Sequence, residues 1–269
     1  MAQEPKGDVM WASPSTGNRM RVLEAGPPDR PALLLLHGMG TGADAWRPQL
    51  VALSGRWHVL APDLPGFGGS AGPFSVGAAA DLARELLDAR ATGQAAVCGL
   101  SLGALVALDL SLSRPGRVAG LVAVAGFAYL PERLRADQAA FAAMLRGLPD
   151  EAAAGVTEQL VGAVPPAHRQ AARAALVGFV PRTLADVVEE ASAFDVRDAC
   201  PGFDRPALVA WGARDSANAP LGDDLAARLP GAARHVVPDA GHVANLDAAE
   251  AFTAMLDRFM GEAASRPDR

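Results

Sequence analysis

The chain has 269 residues, of which 50% are hydrophobic, and a formal net charge of −6 at pH 7. That length suits one large α/β domain or two small ones and can bury a sizeable core. The lack of a lysine- or arginine-rich run argues against sequence-independent binding of nucleic acid. The two cysteines, Cys98 and Cys200, do not suffice for a disulfide framework or a metal site.

The N-terminal residues and the short apolar runs bear on localisation. Residues 1–10 carry charges and a proline where a secretory signal needs an apolar segment. Apolar runs such as residues 32–36 are far too short to span a bilayer. We therefore expect a cytoplasmic protein without a membrane span.

Short apolar runs bounded by glycine or proline predict the strands. A hairpin is expected first, over residues 8–25, around a turn-like segment at residues 15–18. The later runs are continuously apolar rather than alternating, which is typical of strands covered on both faces. They lie at residues 32–38, 57–63, 95–99, 118–126, 206–212 and 233–238.

Helical patterns separate these runs. Residues 75–90 place apolar side chains near helical spacing, and residues 102–113, 221–229 and 248–260 give three more helices. Strands that alternate with helices predict an α/β fold in which helices cover both faces of a mostly parallel sheet.

Residues 127–199 interrupt the alternation with several helical stretches broken by prolines. Ligands of such sheets bind outside the carboxyl ends of the strands, so we expect this segment to form a helical cap or lid there. The chain then divides into a first part of the core (1–126), the cap (127–199) and a second part of the core (200–269). The alternative is a helical subdomain that only packs.

One serine stands between an apolar run and a helical pattern, in the sequence GLSLG at residues 99–103. A G-x-S-x-G segment between a strand and a helix is typical of a sharp turn that presents the serine hydroxyl at a helix N-terminus. The glycines are expected because side chains there would collide with neighbouring chain. Ser101 is therefore the candidate nucleophile, and an ordinary small turn residue is the alternative.

A serine hydroxyl needs a positioned base, and the chain has five histidines. His242 stands on a glycine-flanked loop after the last apolar run and is the candidate base. His37 begins a glycine-rich loop, which we expect it to shape. The backbone N–H groups of Met39, in that loop, and Leu102 would then form an oxyanion hole. The other histidines lie in strand patterns (His58, His235) or in the cap (His168).

The base also needs an orienting acid. Asp215 follows the apolar run at residues 206–212, at the expected carboxyl end of a strand. Asp239 lies too close to the candidate base in the loop to reach round its ring, and Asp109 lies two turns down the helix after the serine. Asp215 is therefore the candidate acid.

Large apolar side chains beyond the oxyanion loop and in the cap are the candidates for the substrate pocket. The competing interpretation of each is a place in the core. These candidates are Trp46, Phe141, Met144 and Leu145.

Five motifs in order resemble the α/β-hydrolase superfamily over essentially the whole chain: HGMGTG (37–42), DLPGFGGS (63–70), GLSLG (99–103), GARD (212–215) and DAGH (239–242). The resemblance implies an eight-stranded, mostly parallel sheet with a helical cap and no cofactor or metal. It implies a triad of Ser101, Asp215 and His242, with Met39 and Leu102 as oxyanion donors. Ala104 departs from the glycine of many relatives, but alanine is still small enough there.

The resemblance implies a serine hydrolase that cleaves a small-molecule carboxylic ester or lactone through an acyl-enzyme on Ser101. The CGLSLG segment is similar to that of 3-oxoadipate enol-lactonases. Epoxide hydrolases and haloalkane dehalogenases are excluded, because they need an aspartate at this position. Carbon–carbon bond hydrolases, perhydrolases and acyltransferases stay open, as does a non-catalytic ligand-binding protein of the same fold. The sequence predicts no oligomeric state.

Overall fold

The structure, a computed structural model, describes residues 8–177 and 180–264. Its first two strands, β1 (Asp8–Ala12) and β2 (Arg19–Ala25), form an antiparallel hairpin. Gly17 closes the turn with a φ of 71°, a conformation in which glycine is favoured because it has no Cβ. The hairpin expected from the sequence is therefore present.

Six further strands complete one sheet: β3 (Ala32–Leu36), β4 (His58–Pro62), β5 (Ala95–Leu100), β6 (Val118–Val124), β7 (Ala207–Gly212) and β8 (Ala233–Val237). Their order is β1-β2-β4-β3-β5-β6-β7-β8. β2 pairs with β4 in antiparallel fashion, and every pair from β4 to β8 is parallel. This arrangement confirms the predicted eight-stranded, mostly parallel sheet.

The helices are α1 (Arg47–Leu53), α2 (Val76–Ala89), α3 (Leu102–Ser113), α4 (Glu132–Arg146), α5 (Ala153–Gly162), α6 (Arg169–Ala175), α7 (Pro181–Ala193), α8 (Ala219–Arg228), α9 (Ala244–Asp247) and α10 (Ala249–Ala264). Among those described, none is long and apolar enough to cross a membrane. The four helices predicted outside the cap segment are found within a few residues of their expected bounds.

The sheet has a separate apolar core on each face. Leu33 and Leu35 of β3 pack with side chains of α1 and α10, whereas Leu34 and Leu36 pack with those of α2, α3 and α8. Alternate residues of one strand thus enter opposite cores, and every residue of β3 is buried. Two buried faces explain why this run is apolar throughout.

Helices α4 to α7 lie in the chain between β6 and β7. Arg146 of α4 forms ion pairs with Asp186 at 2.7 Å and Glu189 at 2.6 Å, both on α7. Apolar side chains of the same two helices, Leu145 and Leu184 among them, belong to the core that also contains α2 and α3. This helical insertion therefore shares an apolar core with helices that cover one face of the sheet.

Candidate active site

Ser101 joins the end of β5 to the start of α3 in a strained turn. Its φ is 53° and its ψ is −115°, a combination that residues with a Cβ rarely adopt. Its backbone N–H donates to the carbonyl of Val124 at 2.8 Å, and its carbonyl accepts from the N–H of Ala104 at 2.9 Å. The turn is thus held by the neighbouring strand and by the helix that it begins.

The two glycines that flank Ser101 are needed because backbone occupies the space of their missing side chains. A Cβ on Gly99 would lie 2.1 Å from the carbonyl oxygen of Gly103. A Cβ on Gly103 would lie 2.1 Å from the carbonyl oxygen of Leu36 in β3. The G-x-S-x-G pattern therefore follows from close packing of three backbone segments.

We expect Gly103→Ala to destabilise the fold by about 3 kcal/mol, because the methyl group meets rigid backbone rather than a side chain that can move. Urea unfolding at equilibrium would measure this loss. The matched control is Gly77→Ala in α2, where the added Cβ has nothing within 4 Å. The control should unfold at the same or a higher urea concentration, and equal midpoints for the two variants would contradict the packing argument.

Asp215 and His242 are joined by a hydrogen bond, from Nδ1 of the imidazole to Oδ2 of the carboxylate at 2.9 Å. Asp215 follows β7 and is 7% exposed, and His242 lies in the loop between β8 and α9. Burial by itself raises the pKa of Asp215, but hydrogen bonds from His242 and Asn218 outweigh it and hold the pKa below its usual value. The carboxylate therefore stays ionised at neutral pH.

A cavity of about 330 Å³ brings Ser101 and His242 together. Within the described part of the chain, Oγ of Ser101 forms no hydrogen bond to the imidazole. Most of the remaining lining is apolar and comes from α3, the helical insertion and α8. Examples are Leu105, Phe127, Leu130, Val188 and Leu221.

Met39 and Leu102 also line this cavity. Leu102 is the first residue of α3, and the first N–H groups of a helix have no acceptor within it. Among the described residues, 8–177 and 180–264, no group accepts a hydrogen bond from the backbone N–H of Met39 or Leu102. Two unengaged donors thus border the cavity that contains Ser101.

His37 holds the loop that carries Met39. Its Nδ1–H donates to the carbonyl of Gly38 at 2.9 Å, and its Nε2 accepts from the N–H of Leu64 at 2.8 Å. The ring is 1% exposed, and burial lowers its pKa. Because both nitrogens are engaged, His37 occupies the loop-shaping place that the sequence predicts for it.

The structure corrects the predicted substrate pocket, because its four candidates lie outside the lining of the cavity. Trp46 is fully buried against Phe252, with ring centroids 5.9 Å apart. Leu145 is 1% exposed in the core, Phe141 packs against the same core, and Met144 is 52% exposed.

The error on α4 is one of position along the helix. Leu134, Gln138, Phe141 and Leu145 recur at helical spacing and share one face. Leu134 and Gln138 line the cavity, whereas the later two continue into the core. The sequence shows the face but not the turn at which the cavity ends.

Asn218 is a site residue that sequence reasoning missed. Its Nδ2 donates to Oδ1 of Asp215 at 2.8 Å and lies 3.2 Å from Nδ1 of His242. It also lines the cavity. The available signal was a carboxamide three residues after the candidate acid and just before a predicted helix.

Metal ligands and reactive thiols are not part of this site in the residues that the structure describes. No group of three or more histidine, cysteine, aspartate or glutamate side chains there could hold a metal ion. Both cysteines are buried, and burial raises the pKa of Cys200 to about 11.

Comparison with known proteins matches residues 33–255 to the alpha/beta hydrolase family. A pimeloyl-[acyl-carrier protein] methyl ester esterase of Neisseria meningitidis serogroup B (strain H44/76) is 29% identical over 267 residues, spanning 90% of this chain and 97% of that protein. A putative carbamate hydrolase of Azorhizobium caulinodans is 33% identical over 244 residues, spanning 86% and 91% respectively. The crystal structure of an enol-lactonase from Burkholderia xenovorans LB400 superimposes with a TM-score of 0.79 at 26% identity, over 94% of this chain and all 100% of that one.

Proposed function

Because the chain belongs to the alpha/beta hydrolase family and is a hydrolase acting on ester bonds, we propose that it cleaves a small-molecule carboxylic ester or lactone through an acyl-enzyme on Ser101. The observation that carries this proposal is the Asp215–His242 hydrogen bond beside the cavity that Ser101 and His242 both line. An oriented imidazole next to a serine hydroxyl is the arrangement that makes serine a nucleophile.

In the first step, Nε2 of His242 takes the proton of Ser101 as Oγ attacks the ester carbonyl carbon. Nδ1–H points to Asp215, so Nε2 is the nitrogen that lacks a hydrogen and can accept one. The ionised carboxylate then stabilises the imidazolium that forms. The imidazolium returns its proton to the leaving alkoxide, which departs as the alcohol.

The negative charge on the former carbonyl oxygen needs donors during that step. We assign this role to the backbone N–H groups of Met39 and Leu102, which border the cavity without an acceptor among the described residues. Leu102 also lies at the N-terminus of α3, where the helix dipole favours negative charge. One such donor contributes on the order of a hundredfold in kcat.

In the second step, water gives a proton to Nε2 of His242 and attacks the acyl carbon. The bond between that carbon and Oγ breaks, the carboxylic acid leaves, and the proton returns to Ser101. A lactone follows the same two steps, except that the alcohol and the acid stay in one molecule. These two reaction steps need no cofactor.

Residues 127–199 serve in this proposal as the cap of the site, between core segments 1–126 and 200–269. Side chains of α4 and α7, such as Leu134 and Val188, face the same cavity as Ser101. An apolar lining of this kind favours an ester whose acyl or alcohol group is apolar.

A fluorophosphonate probe tests the assignment of the nucleophile. It should phosphonylate the wild-type protein on the peptide that contains Ser101, because only an activated serine attacks phosphorus at a useful rate. Ser101→Ala should abolish labelling, and Ser113→Ala, at the far end of the same helix, should label like the wild type. A folded wild-type protein that stays unlabelled, or labels elsewhere, would favour a non-catalytic ligand-binding protein.

A further inference from the structure

Asn218 immediately precedes α8, where an asparagine side chain ordinarily accepts a hydrogen bond from an N–H of the first turn. In this chain the side chain makes no such bond. The helix begins instead with backbone bonds to the carbonyl of Asp215, from Asn218 at 3.3 Å and from Ala219 at 3.1 Å. The carboxamide is thus available for another partner.

That partner is the acid of the site. Nδ2 of Asn218 donates to Oδ1 of Asp215 at 2.8 Å, while Oδ2 of the same carboxylate accepts from Nδ1 of His242 at 2.9 Å. The two oxygens of one carboxylate therefore have separate donors. A carboxylate that accepts a hydrogen bond at each oxygen cannot rotate about its terminal bond without breaking one of these hydrogen bonds.

The orientation of the amide is fixed by charge. Rotating the carboxamide by 180° would bring its oxygen to 2.8 Å from a carboxylate oxygen, where two acceptors repel. The contact of 3.2 Å between Nδ2 and Nδ1 of His242 joins two nitrogens that each carry hydrogen. The two groups therefore lie close together without a hydrogen bond between these nitrogens, and Nδ2 donates one of its two hydrogens to Asp215.

We propose that Asn218 is a positioning residue for ester cleavage: its amide holds one oxygen of Asp215 so that the other stays aligned with Nδ1 of His242. This inference rests on the proposed function. In the proposed mechanism, that alignment keeps Nε2 of the imidazole without hydrogen, so that it can take the proton of Ser101. The same amide is one of the donors that keep Asp215 ionised despite its burial.

The charged groups on neighbouring elements have other partners. Asp247 of α9 accepts from the N–H of Gly241 at 2.8 Å, and Arg214 donates to the carbonyl of Asp239 at 2.7 Å. Asp215 is the charged group that bonds the imidazole of His242 in the described residues. A new charge at position 218 would therefore add directly to that of Asp215.

Asn218→Asp is the sharpest test, because it keeps the shape of the side chain and replaces its donor by an acceptor. A second carboxylate beside the imidazole favours the imidazolium, which cannot take the proton of Ser101. We expect kcat/KM for a p-nitrophenyl ester to fall about a hundredfold at neutral pH, with the acid limb of its pH profile shifted up by about one unit.

Asn218→Ala removes the donor without adding charge. We expect kcat to fall about tenfold with KM within about twofold of the wild type, as for loss of one hydrogen bond to a charged group. Because the side chain does not cap α8, the melting temperature should change little. Ser216→Ala is the matched control: Ser216 is exposed in the same loop and should keep wild-type kinetics.

Rates are compared per site titrated with the fluorophosphonate probe, so that misfolded molecules are not counted. The inference is overturned if both Asn218 variants keep the wild-type kcat and acid limb per titrated site, whether or not their melting temperature falls. It is supported by the shifted acid limb of Asn218→Asp together with the kcat loss of Asn218→Ala. A wild-type protein that is not labelled at Ser101 overturns the proposed function itself, which separates the two failures.

Discussion

Ser101→Ala should lower kcat for p-nitrophenyl ester hydrolysis by about a millionfold. The variant has no oxygen that can form the acyl-enzyme, and Asp215 and His242 then have no hydroxyl to activate. The residual rate, from water in the cavity beside the donors of Met39 and Leu102, should still exceed the uncatalysed rate by about a thousandfold.

The initial rate of p-nitrophenol release measures this effect. The variant used should have the melting temperature of the wild type. Ser113→Ala on the same helix, α3, is the control and should keep wild-type turnover. A Ser101→Ala protein with a kcat within tenfold of the wild type would falsify the assignment of Ser101 as the nucleophile.

Asp215→Asn should lower kcat by about ten thousandfold, because the amide no longer selects the imidazole tautomer that leaves Nε2 without hydrogen. The neutral side chain also cannot stabilise the imidazolium that forms when His242 takes a proton. Binding of substrate should change less than kcat, since Asp215 does not line the cavity.

Asp239→Asn is the matched control, because Asp239 is the carboxylate nearest to His242 along the chain. Its φ is 54°, a conformation that asparagine tolerates as well as aspartate. Its turnover should stay close to that of the wild type. If Asp239→Asn instead carried the large loss in kcat, Asp239 would be the orienting acid.

The pH dependence of stability gives a further readout of the same substitution. The pKa of Asp215 is lower in the folded protein than its usual value of 3.8, so the ionised form stabilises the native state above that pH. This contribution is lost as the pH falls through the folded pKa. The stability difference between wild type and Asp215→Asn, measured by urea unfolding, should therefore shrink on acidification.

The sheet could be predicted from sequence because its strands are buried on both faces. A run such as residues 32–36 has no polar position, which distinguishes it from the amphipathic helices around it. Helix α1 was missed because it is only seven residues long and has a proline in its first turn, so it gives little periodic signal. The rest of the fold was predicted from the order of the five motifs, which resembles that of the α/β-hydrolase superfamily.

The substrate cavity could not be predicted in the same way. On α4, the residues that reach the cavity and those that reach the core share one face, and only the position of the helix over the sheet separates them. Asn218 was missed for a related reason: an asparagine at a helix N-terminus ordinarily caps the helix, whereas this one bonds Asp215 and lies against a histidine 24 residues away in the chain. Both outcomes depend on tertiary distances that local patterns do not contain.

The turn at Ser101 ties presentation of the proposed nucleophile to the assembled native state. Its N–H donates to the carbonyl of Val124 in β6, and Gly103, two residues later, packs against the carbonyl of Leu36 in β3. Strands distant in the chain must therefore come together before the hydroxyl is presented. Under the proposed function, covalent labelling of Ser101 should count correctly assembled molecules, and its loss during heating or in denaturant would report unfolding of the central sheet at single-residue resolution.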